Sequence, residues 1–235
     1  MAEEVPIRLA ATVVVLRDTA QGPEVLLVQR ANELAFHGGA WVFPGGRVDA
    51  ADFGRVGATP SLTLPPLEAL EVSRQAAVRE AQEESGLALS PAALVPISHW
   101  TTPRGRPRRF ATWFFAATLD APGEVVIDGG EICAHRWLRA SDALLAREAG
   151  ELELPPPTFV TLSVLSAFST SESWRLALTG ETPPIYVPRP HIAPQGVISL
   201  YEGDVAYEGG EVEREGPRHR LNMLESGWSY QRTPR

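Results

Sequence analysis

Only one cysteine, Cys133, occurs in 235 residues, so no internal disulfide is possible and no cysteine-based zinc spacing exists. A reducing, cytoplasmic setting is the expectation. An excess of cationic residues is also missing: 21 Lys and Arg stand against 29 Asp and Glu, a net charge of −8. That balance argues against a general nucleic-acid or membrane-surface binder, and neither is expected as a partner. The apolar run near the start, Ala10 to Leu16, is too short to span a bilayer and reads as a strand. The opening Met-Ala-Glu-Glu lacks the basic start of a secretory signal, and the closing Arg-Thr-Pro-Arg does not match the usual peroxisomal ending. Neither internal repeats nor low-complexity tracts are visible. What is present is ordinary for a folded globular chain, with 44% hydrophobic and 21% charged residues. An acidic protein that handles phosphates would need metals or local arginines at its site.

Leu9 to Leu16 and Glu24 to Gln29 are β-rich runs separated by the turn-prone Asp18 to Pro23, which predicts a hairpin. Phe36 to Gly46 is rich in glycine and reads as loop. Ala50 to Pro66 shows no clear period and reads as an insertion. Leu67 to Ser85 is the best helix, preceded by Pro65 and Pro66 and followed by Gly86 in a C-cap position. Further strands are expected at Leu94 to Trp100, Ala111 to Leu119, Glu124 to Ile127 and Cys133 to Leu138. Arg104 to Arg109 form a basic loop between two of them. Ser141 is a candidate cap for a short helix reaching Ala149. This order predicts an α/β (α+β) fold, a mixed sheet sandwiched between helices.

Composition shifts at Pro155-Pro156-Pro157. Beyond it, Phe159, Leu162, Leu165 and Phe168 recur at helical spacing. Ser169 and Glu172 are candidates for a capping box that starts a second short helix. Val197 to Tyr201 and His219 to Leu224 read as strands. The domain expectation is therefore 1–154, with an insertion at about 47–66, and a C-terminal extension, 155–235, packed on it.

The segment that carries chemistry is Arg79-Glu80-Ala81-Gln82-Glu83-Glu84-Ser85-Gly86-Leu87. On a helix, Glu80, Glu83 and Glu84 share one face. Each like-charge pair costs roughly 0.2–0.5 kcal/mol. Anions near a helix C-terminus cost roughly 0.3–1 kcal/mol more each. A divalent cation with a preference for oxygen ligands would offset this, whereas a solvated acidic face is the plainer reading of the acids alone.

With its surroundings, the segment resembles the Nudix box. Arg79, Glu80, Glu83, Glu84, Gly86 and Leu87 match its second half, and Phe43-Pro44-Gly45-Gly46 resembles its opening glycine turn. The two halves are too far apart. Gly46 should lie fourteen residues before the arginine, but 79 − 46 = 33, so nineteen residues are inserted. Asp52 stands at the glutamate offset counted from Gly46, and Glu71 at the same offset counted from Arg79; either can fill that role.

The resemblance implies a Nudix fold and a hydrolase that cleaves a diphosphate bond in a nucleotide-derived small molecule. It implies Mg²⁺ or Mn²⁺ held by Glu80, Glu83, Glu84 and the Gly45 carbonyl, with Arg79 orienting a carboxylate. The general base it implies is a box glutamate or a later one such as Glu131, for which a solvated loop acid is the rival reading. Leu26-Leu27-Val28-Gln29-Arg30-Ala31, leading to Gly39, resembles the motif that precedes the box in coenzyme A diphosphatases, with Val28 and Ala35 as departures. His99 to Pro103 and Arg108 to Phe115 resemble the peroxisomal coenzyme A diphosphatase branch of the family. Arg30 of that motif and Arg109 of the basic loop are candidate substrate contacts, a solvated loop being the rival reading of the latter, while His37, His99 and His191 show no metal pairing and are expected to be structural. ADP-ribose or a dinucleoside polyphosphate is the alternative substrate, and a non-catalytic nucleotide-binding module the alternative class. A homodimer, common in the family, is left open.

Overall fold

The structure is a computed structural model that describes residues 5–33, 38–61, 66–119, 123–178 and 180–234. Ala35, His37 and the later part of the insertion, 62–65, lie outside the described residues.

Strands β1 (Ile7–Thr19) and β2 (Gly22–Arg30) form the expected hairpin, longer at both ends than the apolar runs alone indicate. Next come β3 (Trp41–Val42), β4 (Gly45–Arg47), helix α1 (Ala50–Arg55) and helix α2 (Pro66–Ser85). Strands β5 (Val95–Thr101), β6 (Arg109–Thr118) and β7 (Ile132–Arg139) follow, then α3 (Ala140–Glu148), α4 (Pro156–Leu165) and α5 (Ser171–Leu178). A short strand, β8 (Ile185–Tyr186), leads to β9 (Arg189–Ala193), β10 (Gly196–Leu200), β11 (His219–Leu224) and β12 (Gly227–Arg232).

The main sheet runs β3-β2-β1-β6-β5-β8, with β4 also paired to β1 and β7 to β2. It is mixed, because β1 and β6 are parallel while β1 and β2 are antiparallel. Both faces are covered, which explains why its strands read as continuous apolar runs rather than alternating ones. Ala11, Val13 and Val15 of β1, with Leu26 and Val28 of β2 and Phe115 of β6, pack beneath Ala76, Ala77 and Ala81 of α2. Val14, Leu16, Val25, Leu27 and Phe114 face the other way, towards Ala143 of α3, Leu162 of α4 and Trp174 of α5. The period-2 alternation of strand side chains sorts these runs into two cores.

The second sheet is a β12-β11-β10-β9 meander. It shares the second core, since Tyr201, Leu221 and Trp228 cluster with Trp100 and Phe159. Trp100 stacks on Tyr186 at 3.9 Å between ring centroids, at the edge where β5 meets β8.

Several local expectations need correcting. Glu124 to Ile127 is not a strand: the Val126 N–H bonds the Ser85 carbonyl at 3.0 Å, so the segment seals the end of α2 instead of joining the sheet. Ala50 to Arg55 is helix, within a stretch whose composition shows no period. Ser141 lies inside α3 rather than capping it, the cap position being Arg139. Ser169 lies one residue before the cap of α5. Thr170 and Ser173 exchange the capping bonds of α5, at 3.0 and 3.3 Å. The three prolines occupy the cap and first turn of α4, where a missing N–H costs nothing.

The meander carries a buried ion pair. Arg220 of β11 donates to both oxygens of Asp204, at 2.7 and 2.6 Å, and Asp204 also accepts the His219 and Ala206 backbone N–H groups. Removing one buried partner strands the other charge, which costs about 3–5 kcal/mol. Asp204→Ala should therefore lower stability by about that amount in urea unfolding. A shift near zero would show that the pair contributes little.

Candidate active site

The site is built where β4 meets α2. Buried Ala76, Ala77 and Ala81 let α2 approach the sheet closely, so Ala81 serves here because it is small. Glu80 and Glu84 lie on the same sheet-facing side, towards β4, with Glu83 at its exposed margin. Gly86 ends α2 at φ +71°, with its N–H on the Gln82 carbonyl at 3.0 Å, as its C-cap position predicts. At the other wall, a Cβ on Gly46 would lie 2.5 Å from the Glu80 carboxylate, so only glycine admits that carboxylate against the strand. The Gly45 N–H donates to Glu84 Oε2 at 2.8 Å.

Arg79 organises the rest. Its guanidinium donates to Asp52 Oδ1 and Oδ2 at 3.1 and 3.0 Å, to Glu80 and Glu83 at 2.9 Å each, and to the Arg47 carbonyl at 2.9 Å. Glu71 is elsewhere, beside Arg74 at 3.4 Å. Of the two acids standing at the box offset, the insertion's Asp52 is the one that meets Arg79. Asp52 is fully buried and also accepts the Asp49 backbone N–H at 2.8 Å, at the start of α1. Burial opposes the charge on Arg79, but the bonds from Asp52 and the nearby Glu80 outweigh it and raise its pKa.

Arg30 ends β2 beside a register shift at Gln29/Arg30, an irregularity of the kind that re-aims side chains. Its guanidinium lies 4.0 Å from Glu84 and 3.9 Å from Glu131. The structure thus brings together Arg30, Glu84 and Glu131, three residues far apart in sequence. Glu131 itself is well exposed, its side chain at 64%. Its backbone is held by Asp128, whose carboxylate accepts the Glu131 and Ile132 N–H groups at 2.9 Å each. Asp128 was not singled out from sequence, although Asp128-Gly129-Gly130 carries a turn signal.

Other predicted residues lie apart. Arg109 is buried at the start of β6, donating to the Thr102 carbonyl at 3.3 Å. It pairs with Ile7 of β1, four residues from the Ala11 that faces Gly46, so it does not join the carboxylates. His99 packs edge-on against Trp113 at 4.9 Å, and burial lowers its pKa.

Burial dominates the electrostatics. It pushes Glu84 up to about 8, the Gly45 N–H and Arg30 opposing it and Glu80 and Glu131 adding to it. Glu80 is raised for the same leading reason, against the pull of Arg79. Among the described residues, no three His, Cys, Asp or Glu already converge in a metal-holding geometry, and Arg79 occupies Glu80 and Glu83. The chemistry of the donors nonetheless fits a divalent cation: hard carboxylate oxygens, two of them destabilised as anions by burial.

Comparison with known proteins identifies the family. Residues 6–156 match the family model of the NUDIX domain. The chain therefore belongs to the NUDIX domain family, and it is an enzyme of the Nudix diphosphatase type. Its relatives include the acyl-coenzyme A diphosphatase NUDT19 of Homo sapiens, 28% identical over 80% of this chain and 73% of that protein. The Xenopus laevis protein of the same name is 24% identical over 62% of this chain and 60% of its own length. A crystal structure of a NUDIX hydrolase from Alicyclobacillus acidocaldarius superposes with a TM-score of 0.64 at 28% identity, covering 77% of this chain and 98% of that one.

Two measurements check this geometry. Asp52→Ala leaves Arg79 short of a buried partner and should cost about 3–5 kcal/mol, whereas Glu71→Ala, at a half-exposed pair, should cost under about 1 kcal/mol. Equal costs in urea titrations would contradict the assignment of Asp52. The second concerns Glu84, whose carboxyl rises from an ordinary 4.5 to about 8 on folding without metal. Below 4.5 it is protonated in both states; from there to about 8 only the folded form keeps the proton, and stability falls as pH rises. Glu84→Gln keeps an acceptor for Gly45 and removes that cost. In chelator it should melt several degrees above wild type at pH 8.5 and level with it near pH 4.5. A variant less stable than wild type at pH 8.5 would refute this.

Proposed function

We propose that the protein hydrolyses the diphosphate bond of coenzyme A or an acyl-coenzyme A, releasing two phosphomonoesters. The observation that supports this most is the joining of Arg79, Glu80, Glu83 and Glu84 to the glycine turn across an insertion, together with relatives named acyl-coenzyme A diphosphatase. Glu80, Glu83, Glu84 and the Gly45 carbonyl would hold Mg²⁺ or Mn²⁺, which when bound neutralises diphosphate oxygens and acidifies a water.

The chain's own residues do the rest. Arg79 fixes the angle of Glu80 and Glu83 through its fork of hydrogen bonds. Arg30 balances the charge of Glu84 and Glu131 and presents a guanidinium towards incoming phosphate. Water attacks one phosphorus, the bridging P–O bond breaks, and the bridging oxygen leaves with the other phosphate. The water's proton passes to a carboxylate beside Arg30, either Glu84 or Glu131. Buried Arg109 supports the strand pair at the start of β6 and reaches substrate only if the Thr102 loop moves. The cytoplasmic setting inferred from a single cysteine belongs to the same reading. No helix among the described residues is long and apolar enough to cross a membrane.

The experiment is a substrate panel with Mg²⁺ or Mn²⁺: coenzyme A, an acyl-coenzyme A, ADP-ribose, NADH and a diadenosine polyphosphate. Coenzyme A or its acyl form should be cleaved fastest, to adenosine 3′,5′-bisphosphate and a phosphopantetheine. Glu80→Gln and Glu84→Gln should each abolish turnover, and Glu131→Gln should lower kcat by about 10² if it accepts the proton. Near-normal turnover in both box variants, or none in chelator-free wild type on the whole panel, would end this reading.

A further inference from the structure

A cleft of about 390 Å³ opens beside the box, between the start of β1, the end of β4 and the insertion. Arg8 and Arg47 line it, with Leu9, Val48, Phe53 and Pro60 giving it apolar walls. Both arginines are exposed, and neither guanidinium makes a hydrogen bond or ion pair among the described residues.

The strand register sets them together. Arg47 lies opposite Ala10, so Arg8, two residues back along β1, is its diagonal neighbour on the same face. Like charges at that spacing oppose one another, and an anion between them would relieve the repulsion. Asp49, also in the cleft, has its carboxylate 3.9 Å from Arg79 instead. Arg47 follows Gly46, so its side chain leaves the strand on the face opposite the one where Gly46 abuts the Glu80 carboxylate, while its carbonyl accepts from Arg79.

We propose that this cleft binds a phosphomonoester at the nucleoside end of the substrate, with Arg8 and Arg47 as its two cationic arms. Phe53, Leu9 and Pro60 offer apolar contact to the attached nucleoside. The box insertion thereby supplies both a partner for Arg79 and a wall of the specificity site. The inference rests on the diphosphatase reading for the substrate that carries the group, but the site itself is defined by charge and shape.

The test is calorimetric titration of the full chain in chelator with adenosine 3′,5′-bisphosphate and with adenosine 5′-monophosphate. The two share the 5′-phosphate and differ by one phosphomonoester. Wild type should bind the bisphosphate about tenfold more tightly. Arg8→Gln and Arg47→Gln should each bring the ratio close to one, while Arg189→Gln, in the distant meander, keeps it. Equal binding of both nucleotides by wild type, or a ratio unchanged in both cleft variants, would overturn the proposal. The substrate panel separates it from the reading beneath it. Preference for the bisphosphate without coenzyme A turnover keeps the cleft and removes the activity, and turnover without preference does the reverse.

Discussion

One guanidinium holds the site together. Arg79 bonds a carboxylate from the insertion, two from its own helix and a carbonyl from β4. Remove it, and α1, α2 and the glycine turn lose their common anchor. The helix would then carry its acidic face unopposed, a liability by both like-charge repulsion and the macrodipole. The interior that receives Arg79 is expensive ground for any charge, and it is acceptable only because nearly every donor of the fork is matched.

The sheet supplies the rigidity behind that anchor. Its strands are apolar on both faces, and each face has its own core, one under α2 and one under α3, α4 and α5. Glu84 is presented from a helix seated on the first core, and Arg30 from a strand shared by both. The meander of the last third closes the second core through Tyr201, Leu221 and Trp228, so the extension contributes to the scaffold rather than to the acidic cluster.

Much of this was legible in the residues. Long apolar runs marked the strands, Gly86 marked the end of α2, and the acidic spacing marked the helix face that lines the candidate site. What stayed hidden depended on contacts between distant segments. Val126 gives its N–H to a helix end, so a strand-like composition does not become a strand. α1 forms where no period shows, because Asp52 accepts an N–H at its start and meets Arg79. Offsets alone could not separate Asp52 from Glu71; burial and the reach of Arg79 do. Arg109 belongs to a basic run in the sequence, yet the strand start draws it inward. The errors at Ser141, two residues past the Arg139 cap position, and at Ser169, one residue before Thr170, reflect how loosely a sequence fixes a helix start.

The interrupted motif has a consequence for how this architecture can vary. The glycine turn and the acidic helix are held in register across space by Arg79 and by the Gly45 bond to Glu84, not by the number of residues between them. Closing a longer excursion costs little, since loop entropy grows only with the logarithm of length. The intervening stretch is therefore an exchangeable cassette. Its length is free to drift, and to be grafted or redesigned, so long as one acid in the position of Asp52 is returned to the waiting guanidinium and the apolar wall beside it is kept.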